Sequence, residues 1–546
     1  MMSSLKSSRI ITQFPDEVIE AVVILLARHP SAIASLSKTC RTFYSLIYST
    51  RDQHLWRRVY LERFDDPRQS RHLRLHQGED VSWGTEYRKR SWAIGFLKAS
   101  STDEQIYRDR NVIPYFGETS SSTGSDPRAE AWKTLLSLVN TAPPIQRDAL
   151  GVDTLPLDPS LSLSLVSKQV PRLPQLSERP GDFSNNIREF LDVFRKDGIP
   201  FPLSRRIASH HIDGVWDRTQ EAQAFYQYMA YMGYTDPYNV DLDGSVDPDH
   251  REARANIAHD PTRPAKAQRI RKFDRRIRWL AMRRIYDITY PSEETLSGPL
   301  IKIDIPLENP SIPPSCFFSP DWAHLAAIRQ EVQGMLFREH NLRQPFYPTV
   351  ASPEHQILRP GWWTPPCPPS HPPQLLDERF RDPQVGWDWA GVEGVWWRLV
   401  VWLGWGVLSD FNTSDFEMLT GMPHHKLVPM RLRVTEYDYG NSMISSRFPR
   451  IFFEGETGGE SWNEDAEEMG EVPDVRLITG NVSMLIDGNV RWSMDTYHLG
   501  DNHAVEWISE GIQIGGVGSM AGILGLWTGS TQMDDPVGGW WQWRVA

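Results

Sequence analysis

The sequence has almost no cysteine: Cys40, Cys316 and Cys367 are the only three in 546 residues. So few, in an odd number, exclude a disulfide framework and fit a reducing compartment. Long apolar runs are missing too. The most apolar window, VWWRLVVWLGWGVL from Val395 to Leu408, is 14 residues long and carries Arg398. A membrane helix needs roughly 20 residues, so this window reads as a buried strand region. No signal-peptide run opens the chain. Basic charge is not in excess either. With 58 Lys and Arg against 70 Asp and Glu, the net charge is −12, which argues against a general nucleic-acid coat. A cytoplasmic or nuclear protein that does not associate with membranes is expected.

What is present is enough for real cores: 40% of residues are hydrophobic, and 23% are charged. At roughly 150 residues per domain, two to four domains are expected. Residues 9–66 read as a compact helical unit, and 67–347 as a mainly helical region with polar inserts at 117–126 and 141–183. Residues 348–375 are a Pro-rich linker with extended backbone. After residue 340 the character changes, and 15 of the 22 tryptophans lie there. Short strand-like segments begin near 430, 449, 474, 490, 505, 522 and 540. Asp487-Gly488-Asn489 between two of them is a hairpin signal. The expected fold class is α+β multidomain: three N-terminal helices, a mainly helical middle, and an antiparallel β-barrel or sandwich over 376–546. The acidic stretch at 456–474 is read as a mobile loop.

Four motifs invite chemistry. Gly516-Val517-Gly518-Ser519-Met520-Ala521 fits a loose dinucleotide pattern, but too little chain remains beyond it for a helix, a parallel strand and an acidic ribose ligand. It is read as a Gly-rich turn between barrel strands. DLDGSVDPDHRE at 241–252 spaces its acids like a calcium loop but has Val246 where Gly is needed and Pro248 two positions later. It is read as a solvated acidic loop. The 263–284 stretch holds ten basic residues and one acid, with Ile270, Phe273, Ile277 and Leu280 at helical spacing. Its Arg271, Arg275, Arg276 and Arg278 form either a solvated or internally paired face or a patch for an anionic partner. His424-His425 has no metal-ligand spacing around it and is read as a loop feature. No Ser–His–Asp arrangement or carboxylate pair stands out, so no catalysis, metal or cofactor is expected.

The opening helix, ITQFPDEVIEAVVILLARHP at 11–30, is apolar on too many sides. Pro15 suits its first position, Asp16 and Glu17 suit the dipole, and His29-Pro30 ends it. Val18, Val22, Leu25 and Leu26 form one stripe, and Ile19, Val23 and Ile24 widen it. Such a helix needs several neighbours or a partner.

Together with IASLSKTCRTFYSLI at 33–47 and DQHLWRRVYLERF at 52–64, it resembles the F-box motif. Phe14, Pro15, Glu17, Val18 and Ile19 match the motif's opening, and Val22 and Leu26 its helix stripe. Leu36, Cys40, Arg41, Phe43 and Leu46 match its second and third helices, and Leu55-Trp56 its closing pair. The chain departs from the pattern at Phe14, where Leu is usual, and lacks an acid before Ile33. The stretches at 81–93, 321–332, 388–403 and 490–529, and the tail DDPVGGWWQWRV, are similar to a family of large fungal F-box proteins. The resemblance implies a substrate receptor of a cullin–RING ubiquitin ligase. Phe14, Pro15, Glu17, Val18, Ile19, Val22, Leu26, Ile33, Leu36, Cys40, Phe43, Leu46, Leu55 and Trp56 would then serve a Skp-type adaptor, and through it a cullin scaffold. The C-terminal domain would bind an unknown client. Two alternatives stand beside it: a barrel that binds a small molecule among Trp396, Trp397, Trp492 and Trp507, and a scaffold or nucleic-acid binder using the 263–284 helix.

Overall fold

The computed structural model describes residues 14–49, 53–69, 81–98, 127–141, 184–192, 219–232, 300–302, 318–326, 328–329, 332, 388–402, 424–439, 448–458, 475–498, 504–517, 522–529 and 537–544. The 263–284 basic stretch, the 241–252 acidic stretch, the 348–375 linker and residues 459–474 of the expected 456–474 loop lie outside them, whereas Glu456 and Thr457, read as loop, are strand residues paired with Arg431 and Met430. Contacts divide the chain into two compact units: 1–143 with 183–202, and 144–182 with 203–546.

The first unit holds α1 (Asp16–Leu25), α2 (Pro30–Ser37), α3 (Arg41–Tyr44), which continues as a π-helical turn to Ser49, and α4 (His54–Arg63). It also takes in α5 (Trp83–Lys98), α6 (Pro127–Asn140) and α7 (Asn185–Asp192). Pro30 does not merely end α1, since it is the first residue of α2. Its fixed φ suits that place, and its missing N–H costs nothing there.

The second unit is built on a barrel. β1 (Leu300–Lys302) and β2 (Phe318–Pro320) pair by themselves. The other eight strands are β3 (Gly394–Trp402), β4 (His424–Asp438), β5 (Arg450–Thr457), β6 (Arg476–Met484), β7 (Val490–His498), β8 (Val505–Gln513), β9 (Ile523–Gly529) and β10 (Val537–Arg544). They pair antiparallel in chain order, and β10 returns to β3, so the sheet closes as an up-and-down barrel. Of the two expected architectures, barrel and sandwich, the barrel is the one formed. Closure leaves none of these eight strands with an open edge. The apolar window at 395–408 supplies β3 through Trp402. His424-His425 is corrected: the pair opens β4, opposite Trp402 and Val401, because β4 pairs with β3 along the whole length of that strand.

Alternation sets the lumen. Trp396, Val428, Met430, Phe453, Ile478, Val482, Trp492, Met494 and Trp540 belong to its core. One end is stoppered by the segment just before β3. Trp389 is fully buried there and donates its Nε1–H to the Pro449 carbonyl at 2.7 Å, and Gln513 Nε2 donates to the Ala390 carbonyl at 3.1 Å. The Gly-rich turn lies at this end as read: Gly515 and Gly516 have φ 80° and 79°, and β8 and β9 flanking them are antiparallel. The Asp487-Gly488-Asn489 hairpin joins β6 to β7, with Gly488 at φ 83°.

β10 is buried on both faces. Trp540 points inward, while Trp541 and Trp543 lie outside the barrel, 1% and 3% exposed. The outer face is covered by helical residues near 322–332. The Arg329 guanidinium sits 3.7 Å from the Trp541 ring centre, and a side chain on Gly539 would meet Ile328 Cγ2 at 3.1 Å. α8 (Gln220–Met232) joins this layer: Tyr231 packs edge-on against Trp322 with ring centres 5.6 Å apart. Helical residues of the middle region, Ile328 and Arg329 directly and α8 through Trp322, therefore form a layer on the barrel.

Gly525 faces inward under Trp540. A Cβ there would lie 2.1 Å from the Glu510 carbonyl oxygen and 2.5 Å from the Trp540 ring. Gly525→Ala should cost about 1–3 kcal/mol by overpacking. Thermal unfolding of the variant checks this, and an unchanged melting temperature would contradict the inward ring position.

Candidate functional site

α1 carries two apolar rows with different fates. Ile19 and Val23, followed by Ala27 just past the helix, recur every four residues and are 5%, 0% and 0% exposed. They face the rest of the first unit. The other row is open: Phe14 is 49% exposed, Val18 44%, Val22 44% and Leu25 78%. Steps of four and three keep Val18, Val22 and Leu25 on one face of the helix, and Phe14 stands exposed just before its start. The excess apolarity of the sequence is thus divided between a core row and a solvent row.

Pro15 is corrected by one position. It is the residue before the helix, with ψ 146°, and its carbonyl accepts from the Val18 and Ile19 amides at 3.0 and 3.3 Å. Its extended backbone lets the carbonyl begin the ladder while Asp16 and Glu17 hold the first turn.

The other residues expected at the docking face fall into three groups. Pro15 and Glu17 are exposed with the open row. Leu26, Leu36, Cys40 and Leu46 are half-buried. Ile19, Ile33, Phe43, Leu55 and Trp56 are buried in the first unit itself. The last group seats α1. Trp56 donates Nε1–H to the Ile47 carbonyl at 2.7 Å, and its ring lies against Gly84, where a Cβ would be 3.0 Å from Trp56 Cγ. Tyr87 of α5 donates its hydroxyl to the Ala27 carbonyl at 2.6 Å, which fixes the end of the core row. Burial raises the Tyr87 phenol above its ordinary range, so it stays a donor at neutral pH.

Sequence reasoning did not find the fastening behind these helices. Arg63 at the end of α4 grips Glu189 of α7 with two parallel hydrogen bonds, Nε at 3.1 Å and Nη2 at 2.9 Å, and gives Nη1 to Ser91 at 3.0 Å. Asp65 accepts from the Asn185 and Asn186 amides at 2.9 and 3.0 Å, capping the start of α7. These α4–α7 partners are more than a hundred residues apart, and nothing local in sequence announces them. The result is a rigid support with one apolar row left on its surface. Isolated surface apolar side chains are ordinary, but a contiguous row along one helix marks a contact surface.

Among the described residues, no group of three His, Cys, Asp or Glu could hold a metal ion, and no helix is long and apolar enough to cross a membrane. The described residues thus comprise a helical unit with an exposed apolar row and an eight-stranded up-and-down barrel on one chain. No protein-family model matches the chain, and neither a curated protein nor a solved structure matches it.

Proposed function

We propose that this protein is the substrate-recognition subunit of an SCF-type ubiquitin ligase. Its first helix docks on a Skp-type adaptor, which joins it to a cullin, and its barrel region holds the client. It performs no chemistry itself. The observation that carries this reading is the exposed apolar row Val18, Val22 and Leu25, with Phe14 just before the helix, beside a buried row on the same helix. A partner's apolar groove covers such a row by the helix-in-groove mode, read as anchors one turn apart. The F-box resemblance, which takes in Phe14, Val18 and Val22 of this row, points to a Skp-type adaptor as the partner.

Division of surfaces places the client elsewhere. With the α1 face occupied, recognition falls to residues 376–546, where the barrel strands supply a fixed scaffold. The chain lacking 376–546 should retain the adaptor and lose ubiquitylated clients, read by affinity purification under proteasome block. Reversing Arg275, Arg276 and Arg278 to Glu tests the competing basic stretch. Clients lost on that reversal but kept by the truncated chain would refute the assignment.

A further inference from the structure

Among the described residues, the barrel lumen contains an arginine with no acid to match it. Arg398 lies midway along β3, between Trp396 and Val400 on the inward face, and is 6% exposed. Its guanidinium lies over the inward Trp540 ring, 4.5 Å from the centre. Nη2 reaches across the lumen to donate to Ser509 Oγ of β8 at 2.7 Å. Nε has no partner among the described residues. Burial alone pushes its pKa down to about 9, with no described carboxylate opposing it, so it is still charged at neutral pH.

Its neighbour across the ladder is Gln542 of β10, directly opposite in register and 0% exposed. Among the described residues, neither the amide oxygen nor the amide nitrogen of Gln542 has a partner, nor does Trp540 Nε1. Directly opposed side chains on one sheet face have Cβ atoms about 5 Å apart. Hence a buried cation and two buried N–H donors without partners among the described residues lie on the neighbouring strands β3 and β10. A lone buried charge and unpaired buried amides are each unfavourable in a finished core. An anion between the directly opposed Arg398 and Gln542 would accept from both.

We propose that the barrel binds a small monocarboxylate, its carboxylate held by Arg398 and Gln542 and its apolar body lying among the aromatic lumen side chains. A single guanidinium matches one negative charge, and its fork fits a carboxylate with two parallel hydrogen bonds. A phosphate dianion would leave charge unmatched in the same place. Eight-stranded barrels have room for side chains or for one small ligand, and the bulk of Trp396, Trp492 and Phe453 restricts this ligand to a short one.

The test uses the full-length protein and the series acetate, butyrate, hexanoate and octanoate, each beside its matching alcohol, with inorganic phosphate as a further anion. At least one acid should raise the melting temperature and bind calorimetrically, with affinity at least about tenfold above its alcohol and above phosphate. Arg398→Met should remove that preference. Gln542→Glu should place an internal carboxylate beside Arg398, raise the melting temperature without ligand, and abolish the response to the acid. This variant decides the case if Arg398→Met does not fold. The proposal is overturned if no acid shifts the protein, if alcohols or phosphate act equally, if Arg398→Met keeps the preference, or if Gln542→Glu lowers the melting temperature or still binds.

Discussion

Val18→Glu combined with Val22→Lys should eliminate capture of a Skp-type adaptor, weakening binding at least about a hundredfold, while the protein stays folded. The two new charges stand one turn apart in the open row, with the acid N-terminal to the base, an order that supports an isolated helix slightly. Both positions are 44% exposed in the free protein, so no core is disturbed. In the complex, each charge would be buried in an apolar groove without a partner. Ile19→Asp is the contrasting case. Ile19 is 5% exposed, so a carboxylate there should unfold the first unit instead. Circular dichroism separates the two outcomes, and calorimetry with purified adaptor measures the loss. Unaltered adaptor binding by the folded double variant would remove the basis for reading α1 as the docking face.

Deleting residues 536–546 should abolish the cooperative unfolding of the barrel. The deletion removes β10, whose residues pair with β9 on one side and β3 on the other. It also strips Trp540 from the lumen and Trp541 and Trp543 from the outer layer, all of them at most 3% exposed. Full loss of one such side chain costs about 3–5 kcal/mol, and marginal stability does not withstand three. Near-UV dichroism, dominated by the tryptophans, reports the result. Adaptor capture should survive, since α1 lies in the other compact unit. A truncated chain that melts at the same temperature would show that β10 is not structural.

The strands were legible because their signals are local. Runs such as VRWSMDTYH alternate with period two, and Asp487-Gly488-Asn489 punctuates them. The dinucleotide-like glycines were legible for the same reason: they lead into a strand and not a helix. The division of α1 was less so. Residues 18, 19, 22, 23, 24 and 25 are all apolar, and periodicity cannot say which row a protein keeps for itself. That is decided by Tyr87 and Trp56, which reach the helical unit from distant segments. Arg398 was visible only as a flaw in a possible membrane helix. Its inward parity with Trp396 and Val400 was the available clue, but the missing counter-charge appears only once Gln542 and Ser509 are brought beside it. The packing of Ile328 and Arg329 on β10 joins segments far apart in the chain and had no local signal at all.

The seam between β3 and β10 also sets a timetable. β3 is complete at residue 402, but its partner is not begun until 537. At a synthesis rate of about 5–20 residues per second, the nascent chain carries an unfinished ring for on the order of ten seconds. Throughout that interval one edge of β3 has no partner, and Trp396, Trp397, Val400 and Val401 stand on it. Such an edge invites pairing with other chains. The yield in cells should therefore fall when ribosomes are crowded on the message and neighbouring unfinished rings can meet.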